Sequence, residues 1–421
     1  MNGETLSEIV AIGTYLPPWT KAGKRVRGPD EDAVTMAVAA GRAADPARHA
    51  QRVVIVSRNM PLIEGGNAAV LLAGLSLDPD VPITEVLGGA PAVLDQVTSA
   101  DPHTLIIAAD DSQTTAAAGA VLTGTSPAGT RLVAVGGQTR NLPVVIRTDQ
   151  GERHEYADPR LQREVGVKAT VARLSSTGQQ DLVVAAVAGV KAAHVGGAYK
   201  KAPINDPSAG ASAAIRVLAE AVESGQPGLI LATEQSVAAS ATLHLGATTA
   251  VVTRDETLSG ELPKAIVAPG IGIPISLAAY SRAFEPKLRW EAAIFPGDDE
   301  PVFPPRHRVD DAGTLQTEYT LQPLPRTGEV YTHTTIEIPV PDLPSPYTIA
   351  LVQLTDSPVR VLLKVTAAVA GDIEIGQSGA VVLRRVAMRS GVPDYGYAFW
   401  PGRSAEPTTA ALAAATEGAR Q

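Results

Sequence analysis

An α/β chain is predicted, with a large part built on a duplicated parallel sheet and a last part folded as a small all-β barrel. Three observations predict it. Short β-branched runs alternate with Ala-rich stretches of helical length over the first two thirds of the chain. One octapeptide, LIIAADDS at 105–112, recurs as LILATEQS at 229–236. After about residue 285 the Ala-rich stretches stop, Pro becomes frequent, and alternating β runs take over.

The elements follow in order. IVAIG at 9–13, VVIVS at 53–57 and TLIIAAD at 104–110 read as buried strands, with helices over 30–44 and 91–99 between them. VVAAV from 183, an Ala-rich helix over 209–224 and the second octapeptide repeat the same succession. That is an internal duplication with a period far longer than a solenoid repeat; chance similarity between two buried strands is the alternative. EPVFPPRHR and LQPLPRTG mark a linker, and GEVYTHTTIEIPVP, YTIALVQLTD, VRVLLKVTAAV and GAVVLRRVAM are four barrel strands. The expected divisions are 1–165 and 166–285 for the two halves, 286–325 for the linker, 326–402 for the barrel and 403–421 for a tail that is either a short helix or disordered.

Composition narrows the function. A chain of 421 residues exceeds one ordinary core, and with 45% hydrophobic but only 4% aromatic residues its interior must be made of Ala, Val, Leu and Ile. The net charge of −9 and the lack of any Lys/Arg stripe argue against nucleic acid as a partner. No long apolar run suggests a membrane span and the start MNGETLSEIVAIG is unlike a signal peptide, so a cytoplasmic protein is expected. The chain has no cysteine, which removes disulfides, thiolate metal sites and thiol nucleophiles together.

IVAIGTYLPPW, GPDEDAVTMAVAAGRAA, SRNMPLIEGGNAAVLLA, NDPSAGASAA and GQPGLILATEQS, taken in order, resemble the HMG-CoA synthase-like proteins of the thiolase superfamily. FPPRHR, TGEVYTHTTI, SPYTIALVQL, EIGQSGAVVL and YGYAFWPGR resemble the OB-fold domain known as DUF35. The resemblance covers nearly the whole chain. It implies two similar βαβαβ halves sharing a five-layered core, fused to an OB-fold barrel.

It also implies a catalytic set that this chain lacks. Condensing members use a cysteine to accept an acyl group, a glutamate as base and a histidine to steady the thioester oxygen. The nucleophile belongs at the start of the helix after EVLGG, where Ala90 stands; the glutamate after VVIVS, where Arg58 stands; the histidine near Ala186. A methyl group cannot attack a thioester. Relatives often carry a four-cysteine zinc ribbon ahead of the barrel, near FPPRHRVDDAGTL, so zinc is not expected here, and a strand or loop takes its place.

The remaining polar candidates each carry a plainer reading. Asn205 matches an Asn that orients substrate in relatives; Asp206 beside it is as readily a helix cap. His194 is a candidate for the pocket rim or a surface histidine, Glu85 an acid–base group or a structural contact in a dimer. Ser57, Ser112 and Ser236 lack the G-x-S-x-G elbow, which leaves Ser236 a substrate contact at most. Asp110 and Asp111 resemble a metal pair, yet neighbours on a strand face opposite ways, which favours a loop-opening role. Tyr199 and Tyr280 are candidate proton donors, and Arg48, Lys200 and Lys201 candidate partners for a CoA phosphate, with solvated surface charge the default. On the barrel, Tyr331, His333, Tyr395, Tyr397, Phe399 and Trp400 form an expected aromatic docking surface.

The expectation is therefore a non-catalytic subunit of an acyl-CoA acyltransferase or thiolase complex, bridging to a separate, cysteine-bearing catalytic thiolase. It takes acyl-CoA as a possible ligand, and pairs with itself through a sheet edge around residues 83–87. The alternative is an enzyme acting on acyl-CoA, by acyl transfer or retro-aldol cleavage, without a cysteine nucleophile.

Overall fold

A computed structural model of the protein describes residues 8–62, 66–112, 115–125, 128–148, 152–175, 183–269, 284–341, 343–389 and 391–404. Tyr280 and the tail from 405 onward lie outside them. The first half contributes β1 (Glu8–Tyr15), β2 (Arg52–Ser57), β3 (Ile83–Leu87), β4 (Thr104–Asp111) and β5 (Ala116–Gly124), in the order β1-β5-β4-β2-β3. The second contributes β6 (Arg131–Thr139), β7 (Val184–Ala188), β8 (Ile204–Asp206), β9 (Gly228–Glu234) and β10 (Val237–His244), in the order β6-β10-β9-β7-β8. Directions repeat as well: β2 runs parallel to β3 and β4 while β5 is antiparallel to β4 and β1, and β7 to β10 behave identically. The recurring octapeptide thus lies on equivalent strands, β4 and β9. β11 (Val251–Asp255) adds to the first sheet beside β1.

The sheets are mixed rather than parallel throughout, which corrects the expectation from the β-run alternation. Only the few residues between Asp111 and Ala116 join β4 to β5, and a parallel crossover needs a dozen or more. Register is held by burial on both faces: every residue of β5 and nearly every one of β4 is buried.

Helices fill the layers. α1 (Ala33–Ala44) lies on the outer face of the first sheet, with α2 (Asn67–Leu75) against it. It begins later than residue 30 because Asp32 is its cap: the Asp32 carboxylate accepts from Thr35 N at 3.0 Å while Thr35 Oγ1 accepts from Asp32 N at 2.9 Å. α3 (Ala90–Thr98) and α5 (Ser212–Glu223) pack together between the sheets in an Ala- and Val-lined core. α4 (Ala169–Ser175), entered through a π-helical stretch at Leu161–Lys168, covers the outer face of the second sheet. Helix, sheet, helix pair, sheet and helix make the five layers. Small side chains make it possible, because Ala-rich surfaces let three helical layers approach two sheets without voids.

The chain then forms a ribbon from two short antiparallel pairs, β12 (Glu291–Ile294) with β15 (Thr320–Pro323) and, inside it, β13 (Arg308–Val309) with β14 (Leu315–Gln316). β16 (Thr327–Ile336), β17 (Tyr347–Leu354), β18 (Arg360–Val365), β19 (Ser378–Arg389) and β20 (Val392–Pro401) close a five-stranded barrel. The β18–β20 contact is its parallel pairing.

The aromatic docking surface expected on the barrel is a correction. Tyr395, Tyr397, Phe399 and Trp400 are buried, and only Tyr331 is exposed, with His333 half-buried. β20 is sandwiched: Tyr395 donates to Asp32 Oδ2 at 2.7 Å, Tyr397 donates to Leu288 O at 2.6 Å, and Trp290 packs 4.8 Å from the Tyr397 ring. The strand therefore joins barrel to core. Beside it, Arg384 of β19 is fully buried with its guanidinium 3.5 Å from Glu31 and 3.3 Å from the Tyr15 hydroxyl, which itself bonds to Glu31. Burial pushes the Glu31 carboxyl up, and the Arg384 charge opposes that.

Candidate functional site

The strand ends of both halves meet at the N-termini of the paired central helices. The duplication there is chemical as well as topological. Asp110, near the end of β4, accepts from Ala211 N and Ser212 N at 2.8 Å each, and so caps α5 of the other half. Glu234, at the end of β9, occupies the equivalent place against α3 of the first half. A methyl placed on Gly89 would sit 1.9 Å from Glu234 Oε2, and one placed on Gly210 would sit 2.5 Å from the Asp110 carboxylate. Each half therefore sends one carboxylate across to a glycine before the opposite central helix.

α3 has no side-chain cap of its own: Gly89 precedes Ala90, and Pro91 follows. Its free N–H groups and dipole favour an anion, and Glu234 supplies one. Arg58, leaving β2, closes on that carboxylate at 2.8 Å, with side chains 42% and 14% exposed. Burial raises the Glu234 carboxyl above its ordinary value, the Arg58 charge pulls it back down, and Asp110 raises it further. Burial also raises Asp110, against the hydrogen bonds from α5 and the charge of Arg216. Asp111 points the other way, 2.9 Å from Arg27, and accepts no share of the α5 cap. The Asp110–Asp111 pair is a helix cap and a loop anchor, and among the described residues no group of three or more acidic or histidine side chains is placed to hold a metal.

Of the sequence candidates, Ala90 and Arg58 come together here, joined by Glu234. Ser236 lies two residues beyond Glu234, buried, with its hydroxyl donating to Arg140 O at 2.6 Å. Ala186 sits in mid-strand on β7, fully buried between the sheets, where a side chain reaches no strand-end pocket. Asn205 on β8 is a loop clamp: its amide donates to Val187 O at 2.9 Å and Val190 O at 2.8 Å and accepts from Ala192 N at 3.1 Å. His194 ends the short 3-10 turn Ala192–His194 on that same loop, half-buried. Glu85, on the edge strand β3, accepts from Asn67 Nδ2 at 2.8 Å. Asp206 takes the Arg216 guanidinium of α5 rather than capping the helix.

Sequence reasoning missed Glu234. The signal was present: aligning the octapeptides puts Asp110 opposite Glu234, the two acidic residues at one position of the repeat.

Residues 321–384 match the C-terminal OB-fold domain of ChsH2. Solved structures similar to the core include 3-oxoacyl-[acyl-carrier-protein] synthase III from Aquifex aeolicus VF5, at 16% identity and TM-score 0.41, covering 56% of this chain and 99% of that one. The FabH enzyme of Pseudomonas aeruginosa PAO1 is 15% identical at TM-score 0.44, covering 58% and 99%. A Xanthomonas campestris OleA variant with bound lauric acid and lauroyl-CoA is 13% identical at TM-score 0.47, covering 57% and 99%. No curated protein matches the chain in sequence. By strand order and by its five layers, the chain is a duplicated α/β core of two like halves followed by a closed five-stranded barrel, and over residues 321–384 it is similar to the C-terminal OB-fold domain of ChsH2.

Proposed function

We propose that this chain is a non-catalytic, thiolase-type subunit that works beside a separate cysteine-bearing thiolase, with the OB-fold barrel as the bridge between them. The observation that carries the reading is the Arg58–Glu234 pair at the α3 N-terminus. An acyl-enzyme needs a nucleophile at Ala90 and open donors for the thioester oxygen. This chain has a methyl at the first point, and its own carboxylate, balanced by Arg58, lies against the second. With no cysteine in the chain, no other residue supplies a sulfur-linked acyl carrier. The burial of Arg384 against Glu31 supports a barrel carried rigidly on the core.

A homodimer is part of the proposal. β3 is the edge of the first sheet, and Leu87 at its end is 78% exposed. The ribbon is proposed to hold without zinc, since Arg308 ties it instead: its guanidinium lies 2.6 Å from Asp298, 4.3 Å above the Phe295 ring and 2.7 Å from Gln316 Oε1.

The test is affinity capture of the tagged chain from its native host, followed by assay with acyl-CoA. Capture of a cysteine-bearing thiolase, with turnover only in the mixture, supports the subunit. Turnover by the isolated chain that Glu234→Gln abolishes supports the alternative enzyme, with Glu234 as its acid–base group; the raised carboxyl of Glu234 is what favours that second reading.

A further inference from the structure

The cleft between α1 and the barrel holds a cavity of about 650 Å³ whose charge runs against that of the chain. Arg42, Arg48, Arg289 and Arg326 line it against two carboxylates, Asp78 and Glu291, in a protein of net charge −9. Arg384 and Arg403 also reach its wall, where Glu31 and Asp255 face them.

Three of the arginines converge on one turn. Arg42 Nη1, from the last turn of α1, donates to Ser76 Oγ at 3.2 Å and to Gly74 O at 3.3 Å. Arg326 Nη2, from the segment entering the barrel, donates to the same Ser76 Oγ at 3.0 Å and to the Tyr397 hydroxyl at 2.9 Å. Arg289 Nη2 donates to Leu77 O at 2.7 Å, with its Nε 3.6 Å from Glu291. Two guanidinium groups thus share one neutral oxygen, and among the described residues Arg326 meets only neutral oxygens and the Tyr397 ring. Arg326 therefore brings its charge to the cavity against neutral groups, a cost that an anion relieves. Accepting from both arginines uses the lone pairs of the Ser76 hydroxyl and leaves its proton as one more donor. Planar guanidinium forks from two domains, a hydroxyl donor and a charge surplus match a phosphoryl group better than a carboxylate.

We propose that this cavity is a binding site for a phosphorylated small molecule, bridging the core and the barrel. It is separate from the α3 site, since none of Arg58, Gly89, Ala90 and Glu234 lines it. Because the ligand touches both domains, it would tighten their contact.

The experiment is isothermal calorimetry on the full chain at low ionic strength, with inorganic pyrophosphate and, separately, adenosine 3′,5′-bisphosphate. Saturable binding is expected with at least one, and at least about tenfold weaker binding in Arg326→Met. Arg48→Gln, at an exposed position that packing does not depend on, should also weaken it while leaving the melting temperature of the unliganded protein unchanged. Tighter binding of the bisphosphate assigns the site to a nucleotide, equal binding to the phosphate alone. Absence of saturable binding of both probes, or binding that survives both substitutions, overturns the proposal.

Discussion

Gly89→Ala tests the carboxylate at the α3 N-terminus most directly. The backbone at Gly89 has φ −117°, open to any residue, so the substitution introduces a methyl and no backbone strain. That methyl would lie 1.9, 2.4 and 2.8 Å from Glu234 Oε2, Cδ and Oε1, where ordinary contact starts near 3.4 Å. Glu234 must therefore retreat by roughly 1.5 Å and give up its place against the helix and Arg58. Because Arg58 is 42% exposed, its pair is taken at about 1 kcal/mol; the forced repacking adds about 1–2 kcal/mol. The expected loss is about 2–3 kcal/mol, read as a shift in the urea midpoint of the full chain. Glu234→Ala first removes the obstruction, after which Gly89→Ala should cost under about 1 kcal/mol, the ordinary difference at a cap. The coupling between the two substitutions is then at least about 1–2 kcal/mol. Additive effects, or a Gly89→Ala cost near zero on the native background, would refute the placement of the Glu234 carboxylate against the α3 N-terminus.

Three further outcomes follow from the same geometry. Arg384→Met leaves Glu31 buried without its cation and should cost about 3–5 kcal/mol, seen as earlier urea unfolding; joined to Glu31→Gln the penalty should shrink, and it will not if the pair is incidental. The Asp110 carboxyl is raised by burial, so its contribution is full below its unfolded value of about 4 and is lost as pH rises through its folded value. The stability of the native protein relative to Asp110→Asn should therefore fall across that window, and a difference that grows with pH contradicts the burial argument. Asn205→Ala removes three hydrogen bonds to the 187–192 loop and should speed amide exchange at Ala192 and lower stability by about 2 kcal/mol; a change confined to ligand binding would instead make Asn205 a substrate contact.

Much of the architecture was legible because it is carried by local pattern. β-branched runs, Ala-rich helices and the repeated octapeptide needed only periodicity and self-comparison to place two like halves and a barrel, and the absent cysteine is a fact of composition that no fold can alter. What composition cannot encode is which side chains cross between elements far apart in sequence. The antiparallel β4–β5 pairing, the sandwiching of Tyr395, Tyr397, Phe399 and Trp400, and the reach of Glu234 to a glycine 145 positions earlier depend on packing two sheets, two central helices and a barrel together. Asp110 and Glu234 look alike in the octapeptide, but only the exchange across the helix pair makes one a hydrogen-bonded cap and the other the partner of Arg58. Neighbours from the opposite half decided that difference, Ala211 and Ser212 for Asp110 and Arg58 for Glu234.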